Sequence, residues 1–174
     1  ALWLMLFHPA ATVLLFSRRD DEAIELLTRL KGMYRRLPDW MRARAVTVDN
    51  AHEWGLSNGS RAMAFPTSAG DSYQATLVIA DEFDLVADQD RLMGAVKPTI
   101  DNGGQMILLS RPDKGTPNSR FKQIYRTARS GALSGWTPVF LPWYVHPRRN
   151  ARWYAQIRDD ILHATGSLDE LHEQ

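Results

Sequence analysis

The sequence has 174 residues, which suits one domain with a sizeable hydrophobic core. Hydrophobic residues make up 44% and charged residues 24%, the balance of a globular protein. The absence of cysteine excludes disulfides and thiolate metal sites, and a net charge of +1 gives no overall basic field to indicate nucleic acid. His8 and Pro9 interrupt the apolar start far short of a membrane span, so we expect no membrane partner.

The first third of the chain alternates between helical and strand patterns. It begins without Met, and we take Ala1 as a cut point within a helix. The unbroken apolar run Thr12–Phe16 predicts a strand buried on both faces of a parallel sheet. Ser17 and Asp20 resemble a capping box, and apolar residues then recur at helical spacing until Pro38.

The middle and end of the chain continue this alternation after a predicted β-hairpin around Asn58-Gly59. Together the patterns predict an α/β fold with a mainly parallel sheet and helices on both faces. The further predicted elements are strands at Leu77–Ala80, Gln105–Leu109 and Val139–Leu141, and helices at Asp88–Val96 (closed by Pro98), at Phe121–Ala128 and from Pro147 to the end.

Two adjacent carboxylates, Asp81 and Glu82, follow the buried strand Leu77–Ala80. Open α/β folds bind ligands at the carboxyl edge of their strands, so this pair looks like a Walker B element of a P-loop ATPase. A solvated acidic turn is the alternative interpretation. A metal nuclease site is another, built from Asp81, Glu82, Asp84, Asp88 and Asp90, although aspartates near a helix start commonly serve as caps.

The next strand along the chain ends in a hydroxyl residue, Ser110. In helicase-like and terminase-like ATPases the strand after Walker B ends in a coupling motif that senses the γ-phosphate. Ser110 is therefore a candidate for that role, and a serine that merely caps its strand is the alternative.

The order of these segments resembles the phage terminase large subunit, from roughly Val13 to Trp153. The matching pieces are Val13–Ser17, Asn58-Gly59-Ser60, Pro66-Thr67-Ser68, Asp81-Glu82, Pro98-Thr99 before Gly103-Gly104, Ser110-x-Pro112, and Pro142-Trp143-x-x-His146-Pro147. The resemblance implies a P-loop NTPase-like fold of the helicase or terminase type, incomplete at its N-terminus. Residues 1–141 would form a partial ATPase core, and residues 142–174 an Arg-rich segment leading towards an absent nuclease domain.

The resemblance also implies a function, an ATP-driven motor that moves viral DNA into a capsid. Asp81 would hold Mg²⁺ through water with ATP, Glu82 would be the catalytic residue, and Ser110 would sense the γ-phosphate. The implied partners are double-stranded DNA, the terminase small subunit, the portal protein and further copies of the chain in a ring. The implied location is the host cytoplasm, in a phage-infected or prophage-bearing bacterium.

The sequence departs from the family pattern at three places. No lysine stands in a Gly-Lys-Ser/Thr context, so we expect the phosphate-binding loop to lie before Ala1 and residues 1–174 alone to hydrolyse no ATP. Asp71-Ser72 stands where family members often carry Arg-Gly, which argues against an arginine finger there. Arg111 replaces the second hydroxyl of the coupling motif.

Arginine dominates the positive charge, with lysine at only four of the 21 basic positions. Arg148, Arg149 and Arg152 could contact DNA phosphates, as could a second group at Arg35, Arg36, Arg42 and Arg44. A solvated surface is the alternative for both groups. For the whole chain, the alternatives are a superfamily 2-type helicase or translocase core and a non-catalytic scaffold.

Overall fold

The computed structural model describes residues 1–69 and 74–168 and divides into two compact units, Ala1–Lys122 and Gln123–Gln174. The predicted limits of the core, 1–141, remain a prediction. The helices are α1 (Leu2–Phe7), α2 (Asp20–Arg35), α3 (Gln89–Asp101), α4 (Arg120–Arg129) and α5 (Ala151–Thr165). The strands are β1 (Thr12–Ser17), β2 (Val46–Asp49), β3 (Glu53–Leu56), β4 (Arg61–Pro66), β5 (Leu77–Ala80) and β6 (Gln105–Leu108), and short 3-10 turns cover Asp39–Met41, Phe83–Leu85 and Trp143–Val145.

The first unit is built on a six-stranded sheet in the order β2-β3-β4-β1-β5-β6. β1 pairs in parallel with β4 and β5, and β5 pairs in parallel with β6. This confirms the predicted parallel arrangement of the three apolar strands. β3 runs antiparallel to β2 and β4, so the sheet is mixed but mainly parallel.

At β1 both faces of the sheet are buried, and alternate residues of this strand enter separate hydrophobic clusters. Val13 and Leu15 join the cluster that contains α1 and α2 residues such as Leu27. Leu14 and Phe16 join the cluster on the opposite face, which α3 helps to form. β1 lacks alternating polar residues because both of its faces are buried, as the sequence pattern predicts.

The β3–β4 hairpin turns at Asn58-Gly59, as predicted. Gly59 has φ +81°, a left-handed conformation that glycine adopts at no steric cost, and its amide donates to the carbonyl of Leu56 (3.0 Å). The Asn58 side chain donates to the carbonyl of Met5 (2.8 Å), which ties the turn to α1.

Two helix boundaries differ from the prediction. Pro98 lies inside α3, which continues to Asp101. A proline removes one helical hydrogen bond but leaves its own carbonyl to accept one, and here it accepts from Asn102 (3.3 Å). α2 begins with Arg19 as N-cap, and the amide of Arg19 donates to the Glu22 carboxylate (3.2 Å), so the predicted Ser17–Asp20 capping box is wrong.

Three further elements were missed or misplaced. Residues 139–141 form no strand; Phe140 and Leu141 are each 74% exposed, and no described strand pairs with them. β2 was not predicted, because its side chains are largely exposed. α5 ends at Thr165, short of the predicted end, and Gly166 (φ +69°) caps it in the left-handed conformation.

Among the described residues, no helix is long and apolar enough to cross a bilayer.

Candidate functional site

The carboxyl ends of β1, β5 and β6 lie at one edge of the sheet because the three strands are parallel and in register, with Phe16 opposite Ala80 and Ala80 opposite Leu108. Backbone pairing continues past the strand ends. The amide of Asp81 donates to the carbonyl of Phe16 (2.9 Å), and the amide of Phe83 donates to that of Leu109 (2.9 Å). The structure thus brings the predicted site residues Asp81, Glu82 and Ser110 to one edge.

Asp81 stands half-buried directly after β5. One of its carboxylate oxygens, Oδ1, accepts from the amide of Glu82 (2.9 Å). Within residues 1–69 and 74–168, Asp81 has no basic partner, and its other oxygen accepts no hydrogen bond. The carboxylate therefore keeps capacity to bind a cation.

Glu82 has a backbone conformation that glutamate rarely adopts, with φ 50° and ψ 34°. The left-handed region costs a non-glycine residue about 1–2 kcal/mol, because Cβ approaches the following carbonyl oxygen. Its carbonyl accepts from Leu85 (2.9 Å), which closes the following turn. The half-buried Glu82 carboxylate has no hydrogen-bond partner among the described residues. Backbone strain of this kind concentrates at functional sites.

Asp84 differs sharply from these two residues, since its side chain is 0% exposed. The carboxylate accepts from the amide of Asp113 (2.6 Å), the hydroxyl of Ser119 and the ammonium of Lys122 (2.9 Å). Three protein groups thus bind a carboxylate that has no access to solvent. These contacts give Asp84 a structural role in the turn.

The five acidic residues considered for a nuclease site are not assembled into one. Asp88 accepts from the amide of Arg91 (2.9 Å) and so caps the start of α3, and Asp90 lies 3.6 Å from Arg120. In the described part of the chain, no group of three or more acidic, histidine or cysteine side chains could hold a metal ion. The interpretation of the downstream aspartates as caps is correct for Asp88.

Ser110 is half-buried two residues beyond β6, and its hydroxyl both accepts and donates a hydrogen bond. The oxygen accepts from the amide of Asp84 (3.1 Å), and the proton is donated to the carbonyl of Arg111 (2.7 Å). Ser110 thus connects the end of β6 with the turn after β5. The Ser110 hydroxyl therefore contacts the turn after the neighbouring strand β5, which a serine that only caps its own strand would not do.

A pair of residues that sequence analysis missed stands beside this site, Asp84 and Lys122. No local pattern relates them, because they lie on different elements and meet only through the fold. The one available signal was that lysine is rare in this Arg-rich chain, with four of 21 basic residues. The rarity of lysine does not indicate which residue Lys122 pairs with.

An open cleft of about 690 Å³ lies beyond the carboxyl ends of β1, β5 and β6. Its wall includes Arg18, which follows β1, the stretch 84–90 after β5, and Asp113 with residues 116–119 after β6. Asp81 and Glu82 do not line it. The cleft is therefore adjacent to the paired carboxylates and distinct from them.

The second unit contains the predicted DNA-contacting arginines. Arg148 and Arg152 are exposed, and the guanidinium of Arg149 lies 4.7 Å from the centre of the Trp153 ring. The Trp143 ring stacks on Tyr154 at 4.8 Å. The ring of His146 accepts a hydrogen bond from the amide of Arg148 (3.2 Å).

The second group of arginines lies in the first unit. Arg35 is 3.5 Å from Asp49, Arg42 pairs with Asp39, and the carbonyl of Arg44 accepts from the Tyr34 hydroxyl (2.5 Å). Two of these guanidinium groups thus already face carboxylates. The Asp71-Ser72 position, considered for an arginine finger, lies outside the described residues.

No family model matches the chain, and no curated protein matches it. Solved structures do match. The large terminase ATPase domain of Thermus phage P74-26 has a TM-score of 0.72 at 14% identity, over 99% of this chain and 78% of that one. The HK97 bacteriophage large terminase has a TM-score of 0.63 at 14% identity, over 98% and 37%. The large terminase of a thermophilic bacteriophage, in complex with ADP, has a TM-score of 0.65 at 12% identity, over 90% and 39%.

The structure is thus of the α/β class, with a mainly parallel six-stranded sheet flanked by helices. More particularly, the chain has the fold of phage large terminase ATPase domains. It spans 37–39% of the length of the longer terminases it resembles and more than three quarters of the isolated ATPase domain.

Proposed function

We propose that this chain supplies the Walker B half of the ATP hydrolysis site of a viral DNA-packaging motor, with Glu82 as its catalytic residue. The observation that carries the proposal is the placement of Asp81 and Glu82. They follow a central parallel strand, at the carboxyl edge where α/β folds bind ligands. The terminase fold and the ADP complex of a structural neighbour support nucleotide as the ligand.

The Asp81 carboxylate fits a magnesium ion bound together with ATP. Protein-bound Mg²⁺ takes oxygen ligands and usually keeps several waters, with one or two carboxylates and the substrate phosphates completing its shell. Asp81 offers such a carboxylate, with one oxygen that no described residue occupies. When bound, the ion neutralises charge that develops on the phosphates during transfer.

The role of Glu82 is to accept a hydrogen bond from the attacking water and so orient it. A carboxylate to which no described residue binds is able to do this, whereas the enclosed carboxylate of Asp84, which already accepts from three protein groups, is not. Ser110 binds the backbone of the same turn, and we propose that it transmits the loss of the γ-phosphate through that hydrogen bond. The phosphate-binding loop is expected from outside residues 1–174.

The test uses the parent protein in which a phosphate-binding loop accompanies these residues. Glu82→Gln should lower kcat for ATP by about 10²–10⁴-fold, because it removes the charge that orients water, and should spare nucleotide binding. Asp81→Asn should weaken Mg²⁺-dependent nucleotide binding. Glu25→Gln, on the exposed surface of α2, is the matched control and should leave both unchanged. Wild-type hydrolysis by Glu82→Gln would refute the assignment.

We further propose that Arg148, Arg149 and Arg152 contact the phosphates of double-stranded DNA. Two of them are exposed, and backbone contact requires only placed positive charge. Replacing Arg148 and Arg152 by Gln should reduce the slope of log K against log salt by about 0.9 for each phosphate that is no longer neutralised. Arg158→Gln is the control, because Arg158 is paired with Asp159 at 2.7 Å. An unchanged slope would count against these arginines as phosphate ligands.

The remaining parts of the proposal concern assembly. By the terminase likeness, the full protein would work as a ring of identical subunits with a small subunit and a portal protein, in the cytoplasm of the host bacterium. ATP hydrolysis that depends on assembly of the ring would support this arrangement.

A further inference from the structure

The acidic turn, residues Asp81–Asp84, is anchored to the chain after β6 by a buried carboxylate. Asp84 receives hydrogen bonds from the amide of Asp113 (2.6 Å), the hydroxyl of Ser119 and the ammonium of Lys122 (2.9 Å). All three donors lie C-terminal to β6. Asp84 therefore joins the ends of two adjacent strands.

Lys122 is satisfied equally well. Besides Asp84, its ammonium donates to the carbonyls of Asp113 and Thr116, the latter at 2.8 Å, which uses all three of its N–H groups. The side chains of the pair are 14% and 0% exposed. A buried pair whose hydrogen bonds are complete adds little net stability compared with apolar residues, but it does define geometry.

The backbone of Asp84 is held as firmly as its side chain. Its amide donates to the Ser110 hydroxyl (3.1 Å), and its carbonyl accepts from the Gln89 side chain (3.1 Å). The same Gln89 side chain accepts from the amide of Phe121 at the start of α4 (2.8 Å). We call Asp84 and the residues that bind its carboxylate, Asp113, Ser119 and Lys122, the Asp84 clamp.

Glu82 lies two residues before this anchor, in the left-handed conformation at φ 50° and ψ 34°. Such a conformation persists only where surrounding structure holds it against its cost. The Glu82 carboxylate itself has no described partner, so side-chain bonds do not hold it. The acidic turn is fixed by β5 on one side. On the other side it is fixed by the Phe83 amide, which donates to the carbonyl of Leu109 (2.9 Å), and by the clamp.

We propose that the Asp84 clamp positions Glu82 for hydrolysis, so that Asp84 and Lys122 are positioning residues for the reaction without touching nucleotide. This inference rests on the proposed role of Glu82. Its physical basis is that a catalytic group displaced by about 1 Å can lose about 10²-fold in rate. The clamp also makes the rate sensitive to residues 113–122, which carry the other half of it.

A double-mutant cycle in the parent protein tests the inference. It compares kcat and KM for ATP in the wild type, Glu82→Gln, Asp84→Asn and the double variant. Asp84→Asn should lower kcat by about 10–10²-fold with KM little changed, because only the orientation of Glu82 is lost. On the Glu82→Gln background, Asp84→Asn should lower kcat no further, because Asp84 acts through Glu82. Asp101→Asn, which breaks the exposed Lys97–Asp101 pair, is the control.

A second variant, Asp84→Asn with Lys122→Met, distinguishes a loss of stability from a loss of Glu82 orientation, because it leaves no unpaired charge buried. Its Tm should recover relative to Asp84→Asn while kcat stays low. Recovery of kcat to the wild-type value, or an equal loss from Asp84→Asn in both Glu82 backgrounds, would overturn the inference. Wild-type activity in Glu82→Gln would instead remove the proposed function on which it rests.

Discussion

The two halves of the acidic turn show how one short segment can hold carboxylates in opposite states. Asp81 and Glu82 are half-buried and have no basic partner among the described residues. Asp84, in the same turn, is enclosed and paired with Lys122 at 2.9 Å. An acidic run in a sequence therefore does not by itself identify which of its carboxylates are functional. Burial and satisfied hydrogen bonds separate the carboxylates that hold the fold from those left for a ligand.

The most destabilising substitution in the acidic turn is expected at the enclosed residue Asp84. Asp84→Asn should lower the free energy of unfolding by about 3–5 kcal/mol, because it leaves the Lys122 ammonium buried without a counter-charge. Urea denaturation measures this loss. Breaking the exposed Lys97–Asp101 pair at 2.7 Å should cost no more than about 1 kcal/mol, so the two pairs form a matched comparison. Equal costs would mean that burial is not what distinguishes Asp84.

A smaller effect on the free energy of unfolding, opposite in sign, is expected at Glu82. Glu82→Gly should raise the free energy of unfolding by about 0.5–1 kcal/mol. Glycine relieves the left-handed strain of about 1–2 kcal/mol and returns part of the gain as chain entropy. In the interior of α2, Glu25→Gly should instead destabilise by about 1 kcal/mol. A loss of stability in Glu82→Gly would show that the Glu82 side chain contributes contacts that outweigh the strain.

The smallest expected effect concerns Asp113, whose amide belongs to the clamp. Hydrogen bonds from the Thr116 hydroxyl and the Gly115 amide lower the pKa of the Asp113 carboxyl below its ordinary value. Its contribution to stability is therefore present above the unfolded pKa of about 3.9 and is lost as pH falls through the lower folded pKa. The stability difference between wild type and Asp113→Asn should shrink on acidification below about pH 4. A difference that is independent of pH would contradict this account.

Sequence reasoning placed Asp81 and Glu82 after a strand and named Asp84 only as a possible metal ligand, so it missed the pairing of Asp84 with Lys122, for a physical reason. The strand Leu77–Ala80 and the two carboxylates after it are neighbours in the chain, so an apolar run followed by acid is enough to place them. Asp84 and Lys122 meet only through tertiary packing, and no periodicity relates them. Ser110 was predicted to follow the strand directly and lies two residues beyond β6, and its contact with Asp84 required knowledge of which strands are adjacent.

The fold shows the same contrast between features that depend on neighbouring residues and features that depend on tertiary packing. Strands buried on both faces were predictable because their side chains are uniformly apolar, as in β1. Val139–Leu141 is just as apolar but exposed, so the pattern alone could not distinguish it from a strand. Pro98 could not mark the end of α3, since a helix tolerates a proline when hydrogen bonding resumes beyond it.

β6 has a consequence for the behaviour of the chain in solution. It forms one end of the described sheet, and none of its residues, Gln105–Leu108, carries a charge. Ile107 is 42% exposed, and Leu109, just beyond the strand, is 45% exposed. No described strand pairs with the outer side of β6. An uncharged edge of this kind is a template for pairing with another strand, and proteins usually protect such edges with lysine, proline or a covering element. Aggregation of the purified chain should therefore begin at β6, and a single Ile107→Lys substitution on that edge should delay it.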